Sequence, residues 1–312
     1  MADENWEKNI LEKIATEGLR EQRRARRWGI FFKLLTFAYL ILLLVLLYPS
    51  ESEYPGLKAG EKHTALVNLK GIIAPGAEAG ADKIITALRN AFEHKNTAGV
   101  ILRINSPGGS PVQSGYIYDE ILRLREKYPA IPFYAVITDI CASGGYYVAS
   151  AAEKIYADQA SIVGSIGVRM DNFGFVEAMK KLGVERRTLT AGENKALLDP
   201  FSPTDPTVTR HMQTLLDNVH NQFINAVKQG RGDRLKDVEG LFSGLIWTGD
   251  QGVEFGLVDE LGSASQVARD VIGAKNIVDF TLQPDFFQRF SDSVGTTTAQ
   301  LLVEKALLPQ LK

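Results

Sequence analysis

The chain has 312 residues, 45% of them hydrophobic, enough for one large domain or two modest ones with a substantial core. Its net charge of -2, with acids and bases interspersed, argues against the basic face of a nucleic-acid binder. A single cysteine, Cys141, excludes an intrachain disulfide and a cysteine-rich metal site, and the four histidines show no ligand spacing, so neither metal nor cofactor is expected.

Residues 1–27 read as a charged helical lead-in. From Trp28 to Tyr48 the only charge is Lys33. At about 1.5 Å per helical residue this run is long enough for a hydrocarbon core of about 30 Å, which predicts a single transmembrane helix over residues 28–48. Arg23, Arg24, Arg26 and Arg27 precede it and Glu51 and Glu53 follow, so the positive-inside tendency puts the amino terminus in the cytoplasm and the rest outside. The alternative, a cleaved secretory signal, fits less well: the run exceeds a usual apolar signal core, and small residues at cleavage spacing are missing from Tyr48-Pro49-Ser50-Glu51. The expected setting is the inner membrane of a bacterium, with the domain on the periplasmic side.

Residues 49–62 are polar, contain Pro55 and Gly56, and fit a linker. A folded domain is predicted over residues 63–275. Its strands are expected at Thr64–Ile73, Gly99–Ile104, Pro132–Ile137, Lys154–Ala157, Ile162–Val168 and Val184–Leu189. Helical patterns cover Ala81–His94, Val112–Lys127, Ser143–Ala152, Phe175–Leu182, Thr207–Lys228, Gln251–Phe255 and Ser265–Ile272. Short apolar strands separated by helices indicate an α/β layer arrangement. Residues 276–312 read as a tail, amphipathic from about Asp285.

Two of these strand-to-helix turns are rich in glycine. The first, Ser106-Pro107-Gly108-Gly109-Ser110, places backbone amides at a helix entrance, where they lack intrahelical partners and can face a developing negative charge. Taken alone it also fits a turn that needs glycine for its dihedrals. The second, Ala142-Ser143-Gly144-Gly145, puts a serine at the turn. That serine fits a helix N-cap, and it equally fits a nucleophile whose substrate carbonyl meets the Gly144 N–H and, from the other turn, the Gly109 N–H. A serine hydroxyl needs a base. Of His63, His94, His211 and His220, none follows Ser143 closely, which makes Lys195 the leading candidate. To serve, its pKa has to fall from about 10.4 toward about 7 to 8 by burial. Ser165, in Gly164-Ser165-Ile166-Gly167, can orient the neutral amine or simply close a turn.

From about His63 to Ile272 the chain resembles the short, membrane-anchored signal peptide peptidases of the S49 serine peptidase family. The resemblance rests on Asn105-Ser106-Pro107-Gly108-Gly109, Ala142-Ser143-Gly144-Gly145-Tyr146, Val163-Gly164-Ser165-Ile166-Gly167-Val168 and Asn194-Lys195 before Asp199-Pro200-Phe201. Gly230-Arg231-Gly232, and Trp247-Thr248-Gly249 leading to Gly256-Leu257-Val258-Asp259, complete it. Each motif is individually weak; their order and spacing are specific. The resemblance implies an α/β fold like that of the Clp protease and crotonase group, preceded here by the membrane helix. It implies Ser143 as nucleophile, Lys195 as general base, Ser165 as the serine that steadies the lysine, and Gly109 and Gly144 as the oxyanion positions. It also implies a homo-oligomeric ring in which neighbours help build the active sites, and cleaved signal peptides and other apolar peptides as substrates. Two further readings stay open: a slow or inactive quality-control scaffold of the same fold, and crotonase-type acyl-CoA chemistry, which uses a similar pair of amides.

Overall fold

The computed structural model describes residues 3–47 and 60–282. The chain divides into two units, Met1–Glu53 and Tyr54–Lys312. In the first, α1 runs without a break over Asp3–Leu47. Among the described residues no helix is long and apolar enough to cross a membrane. Side chains are described only as far as Leu43, so the expected span Trp28–Tyr48 lies partly outside them, and the structure adds no membrane span to the α/β domain.

The second unit is built on an eight-stranded sheet. β1 (His63–Lys70), β2 (Thr97–Ser106) and β3 (Phe133–Ala142) form its centre, all parallel. Beyond β3 the sheet forks: β4 (Lys154–Ala157) pairs with the first half of β3, and β5 (Ile162–Gly164) with its last three residues. β6 (Ile246–Thr248) closes one edge antiparallel to β5, β7 (Glu260–Leu261) pairs with β4, and β8 (Ile277–Asp279) pairs with β1. The sheet therefore continues past residue 275, where the domain was expected to end, and Phe280 is buried behind β8.

Parallel strands covered on both faces read as continuous apolar runs, and alternation then decides which layer each side chain joins. Ala65, Val67 and Leu69 of β1, Val100, Leu102 and Ile104 of β2, and Phe133, Ala135 and Ile137 of β3 share the main core. Leu66, Ile101 and Val136 face the other way, onto Val267 and Ala268. The main core is covered by α2 (Ala81–Glu93), α3 (Pro111–Lys127) and α4 (Gly144–Ala149). In α2 the spacing of Ile84, Ala87, Leu88, Ala91 and Phe92 gives one apolar stripe, and each large side chain buried there stabilises the fold by about 1.5–3 kcal/mol.

α5 (Val176–Leu182), α6 (Pro206–Arg231), α7 (Gly249–Phe255) and the short α8 (Ala264–Gln266), which runs on into a π-helical turn over Val267–Val271, follow in sequence. The expected strand Val184–Leu189 does not form. Its alternating apolar residues have no sheet partner in this copy: Val184 is exposed and Leu189 is 100% exposed. Likewise, Ile162–Val168 keeps strand geometry only as far as Gly164, because Ser165 turns the chain out of the sheet.

Several of the glycine motifs are explained by packing. A Cβ on Gly230 would stand 1.8 Å from the Ser150 carbonyl oxygen, and one on Gly256 1.8 Å from that of Arg234. Between these contacts the fully buried Arg231 donates to the Gly256 carbonyl and to the Asp259 carboxylate, each at 2.8 Å. Burial pushes the Asp259 carboxyl up, but its bonds to Arg231 and the Ile155 N–H, with the charge of Arg234, together outweigh that and hold it below the ordinary carboxylate range. Tyr146 of α4 donates to the Leu257 carbonyl at 2.7 Å, so the same cluster pins the helix that follows Ser143.

Candidate active site

Ser143 stands between β3 and α4 with φ 52° and ψ −124°, a region that a residue with a side chain rarely occupies. Its side chain makes no capping bond to α4, contrary to the N-cap alternative. The strained turn is held from both sides: the Ser143 N–H donates to the Gly164 carbonyl at 2.9 Å, and the Ser143 carbonyl accepts from Tyr147 at 3.0 Å. A sharp strand-to-helix turn of this kind lifts a hydroxyl out of the sheet edge and toward a substrate.

Sheet register brings Ser165 beside it. Ala142 pairs with Gly164, so the next residue of each strand, Ser143 and Ser165, emerges at the same end of adjacent parallel strands, about 5 Å apart by ordinary strand spacing. Ser165 also has a positive φ, 51°, and its N–H donates to the Leu245 carbonyl at 2.7 Å. Among the described residues only three non-glycine residues have positive φ, and two of them are these serines. Local backbone strain of this sort, held by surrounding structure, is characteristic of functional turns.

The first glycine turn packs directly on the second. A Cβ on Gly108 would lie 2.7 Å from the Gly144 nitrogen, and one on Gly144 3.2 Å from the Gly109 nitrogen. Gly109 has φ 153° and sits so close to Ile73 that an added Cβ would stand 2.1 Å from its carbonyl oxygen. The carbonyls and amides on either side of Gly109 are used, by Ile73 N–H to Gly108 O and Ser110 N–H to Ile73 O, at 2.9 and 2.8 Å. The Gly109 and Gly144 amides make no such bond among the described residues, and the second opens α4. Two unspent N–H groups thus lie next to the Ser143 hydroxyl.

These four residues line one cleft of about 870 Å3. One wall is the face of α3 that carries Val112, Gly115, Tyr116 and Asp119; the opposite wall is Val219, Gln222 and Phe223 of α6. Tyr147 lies between them, stacked on Phe223 at 5.0 Å and tilted against Tyr118 at 5.3 Å. Burial, then the Asp119 carboxylate, pushes the Tyr147 phenol up.

Lys195 does not line this cleft. It lies in a turn within residues 169–205, a segment of which no residue is buried. The segment is organised around its own contacts: Phe175 stacks on Phe201 at 5.6 Å, Arg186 pairs with Asp199, and Asn172 donates to the Leu198 carbonyl at 2.9 Å. No lysine or histidine lines the cleft, and its cation, Arg169, pairs with Asp171 at 3.3 Å. His220 of α6 contacts Ile166, the residue after Ser165. Its Nε2–H donates to the Ile166 carbonyl at 3.0 Å, and His220 does not line the cleft that holds Ser143. The walls supplied by α3 and α6 escaped the sequence reading, although the spacing 112, 115, 116, 119 is the helical signal that marks one face.

A serine on a strained strand-to-helix turn, with two free amides beside it at the carboxyl ends of parallel strands, is the architecture of an α/β acyl-transfer enzyme. The profile of Peptidase family S49 matches residues 125–277. The chain is 32% identical to a putative protease, slr0021, of Synechocystis, over 67% of this chain and 73% of that protein. It is 29% identical to a putative signal peptide peptidase SppA of Enterococcus faecium, over 72% and 67%. The chain belongs to peptidase family S49. It is also 42% identical, over 70% of its length, to part of a Brucella abortus protein named Na(+)/H(+) antiporter NhaA; the chain spans 30% of the length of that protein.

Proposed function

We propose that the protein is a membrane-anchored serine endopeptidase that degrades extended apolar peptides, cleaved signal peptides among them, by a serine-lysine dyad completed between neighbouring copies. The observation that carries this reading is the convergence of Ser143, Ser165 and the Gly109 and Gly144 amides in one cleft, with Lys195 displaced onto an exposed segment.

Ser143 Oγ attacks the substrate carbonyl carbon while its proton passes to the neutral Lys195 amine of a neighbouring copy, steadied by Ser165. The carbonyl oxygen, now negative, takes hydrogen bonds from Gly109 and Gly144, each on the order of 3 kcal/mol in the barrier. Collapse breaks the C–N bond, and Lys195 returns the proton to the leaving amine. Water then repeats the sequence on the acyl-enzyme and frees Ser143.

Membrane attachment is supported by the run from Trp28 to Tyr48 and by the exposure of Trp28, Ile30, Phe31, Leu34, Phe37 and Leu40 on α1, apolar surface that a bilayer would cover. The arginines before it favour a cytoplasmic amino terminus with the domain in the periplasm. The exposed apolar residues of the 169–205 segment, Phe173, Leu182, Val184 and Leu189, favour a homo-oligomer, the ring implied by the family. The test is cleavage of a fluorogenic apolar peptide by the detergent-solubilised full chain. Turnover by the wild type that is lost in Ser143→Ala is expected; turnover that survives in Ser143→Ala contradicts the nucleophile, and no turnover of any unstructured peptide contradicts the activity.

A further inference from the structure

The wall of α3 that faces the cleft carries a charge that apolar substrates do not need. Val112, Gly115, Tyr116 and Asp119 fall at the spacing of one helical face, and all four line the cleft that holds Ser143. Pro111 opens α3 beside the oxyanion glycines, so Asp119 stands about 12 Å further along the helix. Helical side chains lean toward the amino terminus, which brings its carboxylate back in the direction of Ser143. α4 runs alongside: the Tyr147 hydroxyl lies 3.9 Å from where a Cβ on Gly115 would stand. A side chain larger than glycine at position 115 would narrow the passage from Ser143 to Asp119.

Asp119 forms no salt bridge among the described residues. The cations of its own helix are committed elsewhere: Arg123 to Glu120 at 2.6 Å, Arg125 to the Ala151 carbonyl at 2.6 Å, and Lys127 to Glu93 at 3.5 Å. Across the cleft, α6 presents Val219, Gln222 and Phe223, none of them charged, and α4 presents Tyr147. Arg169, on the remaining side, has its own carboxylate in Asp171. Val112, Tyr116, Tyr147, Val219 and Phe223 give the passage apolar and aromatic surface, and Asp119 is its one carboxylate without an ion pair, which suits a long apolar stem with a cationic tip.

We infer that Asp119 makes this cleft a subsite for lysine or arginine at the substrate residue whose carbonyl Ser143 attacks, giving the peptidase a basic preference beside its apolar one. The inference rests on the peptidase reading and deepens it. The stem of a lysine packs along the edge of the stacked Tyr147 and Phe223 rings, and its ammonium meets the carboxylate in a partly solvated pair. Because Asp119 is itself exposed, the pair discriminates modestly, on the order of two- to fivefold in kcat/KM.

The experiment uses the full-length enzyme in detergent and three fluorogenic peptides that differ only at the residue before the scissile bond: lysine, leucine or glutamate. Active sites are counted in every variant by fluorophosphonate labelling of Ser143, which separates loss of folding from change of preference. The expected result is that Asp119→Asn lowers the lysine-to-leucine ratio of kcat/KM by about two- to fivefold, and that Asp119→Lys raises the glutamate-to-leucine ratio. High salt should lower the wild-type ratio as well. Ratios unchanged in both variants, with labelled and active enzyme, overturn the subsite while leaving the peptidase intact. No labelling and no cleavage in the wild type overturns the peptidase reading itself.

Discussion

The strand ends around Ser143 and the segment over residues 169–205 contribute the two halves of the proposed dyad, and they are built in opposite ways. Ser143 is fixed by the paired register of β3 and β5, by a backbone bond to Gly164, and by glycines so closely packed that added side chains would overlap. The 169–205 segment has no buried residue, and its apolar side chains, Leu189 at 100% exposure among them, contact no core in this copy. One region preorganises an oxyanion site within a single chain. The other carries the proposed base on an exposed surface, so under the proposed shared dyad proteolysis would depend on assembly.

That contrast can be broken at several points. The largest effect is expected at the nucleophile: Ser143→Ala should lower kcat by at least about a thousandfold at unchanged fold, measured by peptide cleavage and circular dichroism. Gly109→Ala should come next. Its Cβ would overlap the Ile73 carbonyl, so the amide has to move, and kcat should fall on the order of a hundredfold with a smaller change in KM.

Arg231→Met probes the cluster that pins α4. It leaves the buried Asp259 only the longer contact to Arg234, at 3.2 Å, and the Ile155 N–H, and should destabilise the domain by about 3 kcal/mol, the low end for a broken buried pair, read from urea unfolding. Activity per folded site should drop as well, since Tyr146 bonds into the same region. An Arg231→Met protein of wild-type stability would show that this cluster does not hold the catalytic half.

The smallest effects concern pH. Glu120 is held at about 2 by its hydrogen bonds to Arg123 and Arg89, which outweigh the opposing effect of burial. The folded value lies below the unfolded one of about 4.5, so the stabilisation is complete above that pH and is lost as pH falls from about 4.5 to about 2. Glu120→Gln should flatten the melting temperature across that window. His63 is lowered by burial and then by His94, whose ring stands 4.8 Å away. The folded state therefore favours neutral His63, and its stabilisation, present above about 6.5, is lost as pH falls below that value. His63→Leu should reduce the change in melting temperature between pH 7 and 5.

Much of this arrangement could be read from the chain. Strands such as Lys154–Ala157 follow from apolar runs, and Ser143 and Gly109 stand out because glycine turns between a strand and a helix leave amides free. Pairing register cannot be read from the chain, so the sequence offers Ser165 only as a partner of Lys195, whereas the pairing of Ala142 with Gly164 sets it beside Ser143. The two- and three-residue strands β6, β7 and β8 are too short to show a period. Val184–Leu189 has a strand's alternation and no partner strand within the copy, so local pattern and tertiary context disagree there. Asp119 went unremarked because a lone carboxylate on a helix is ordinary until its neighbours across the cleft are known.

The most direct measurement of the central claim mixes two inactive variants, Ser143→Ala and Lys195→Ala, co-expressed and purified together in equal amounts. If serine and lysine come from neighbouring copies, half of the copies keep the serine and half of their neighbours keep the lysine. Peptide cleavage should then recover to about a quarter of the wild-type rate, while each variant alone stays inactive. A mixture as inactive as its components would contradict a dyad shared between copies, and full activity in Lys195→Ala alone would remove the lysine from the mechanism.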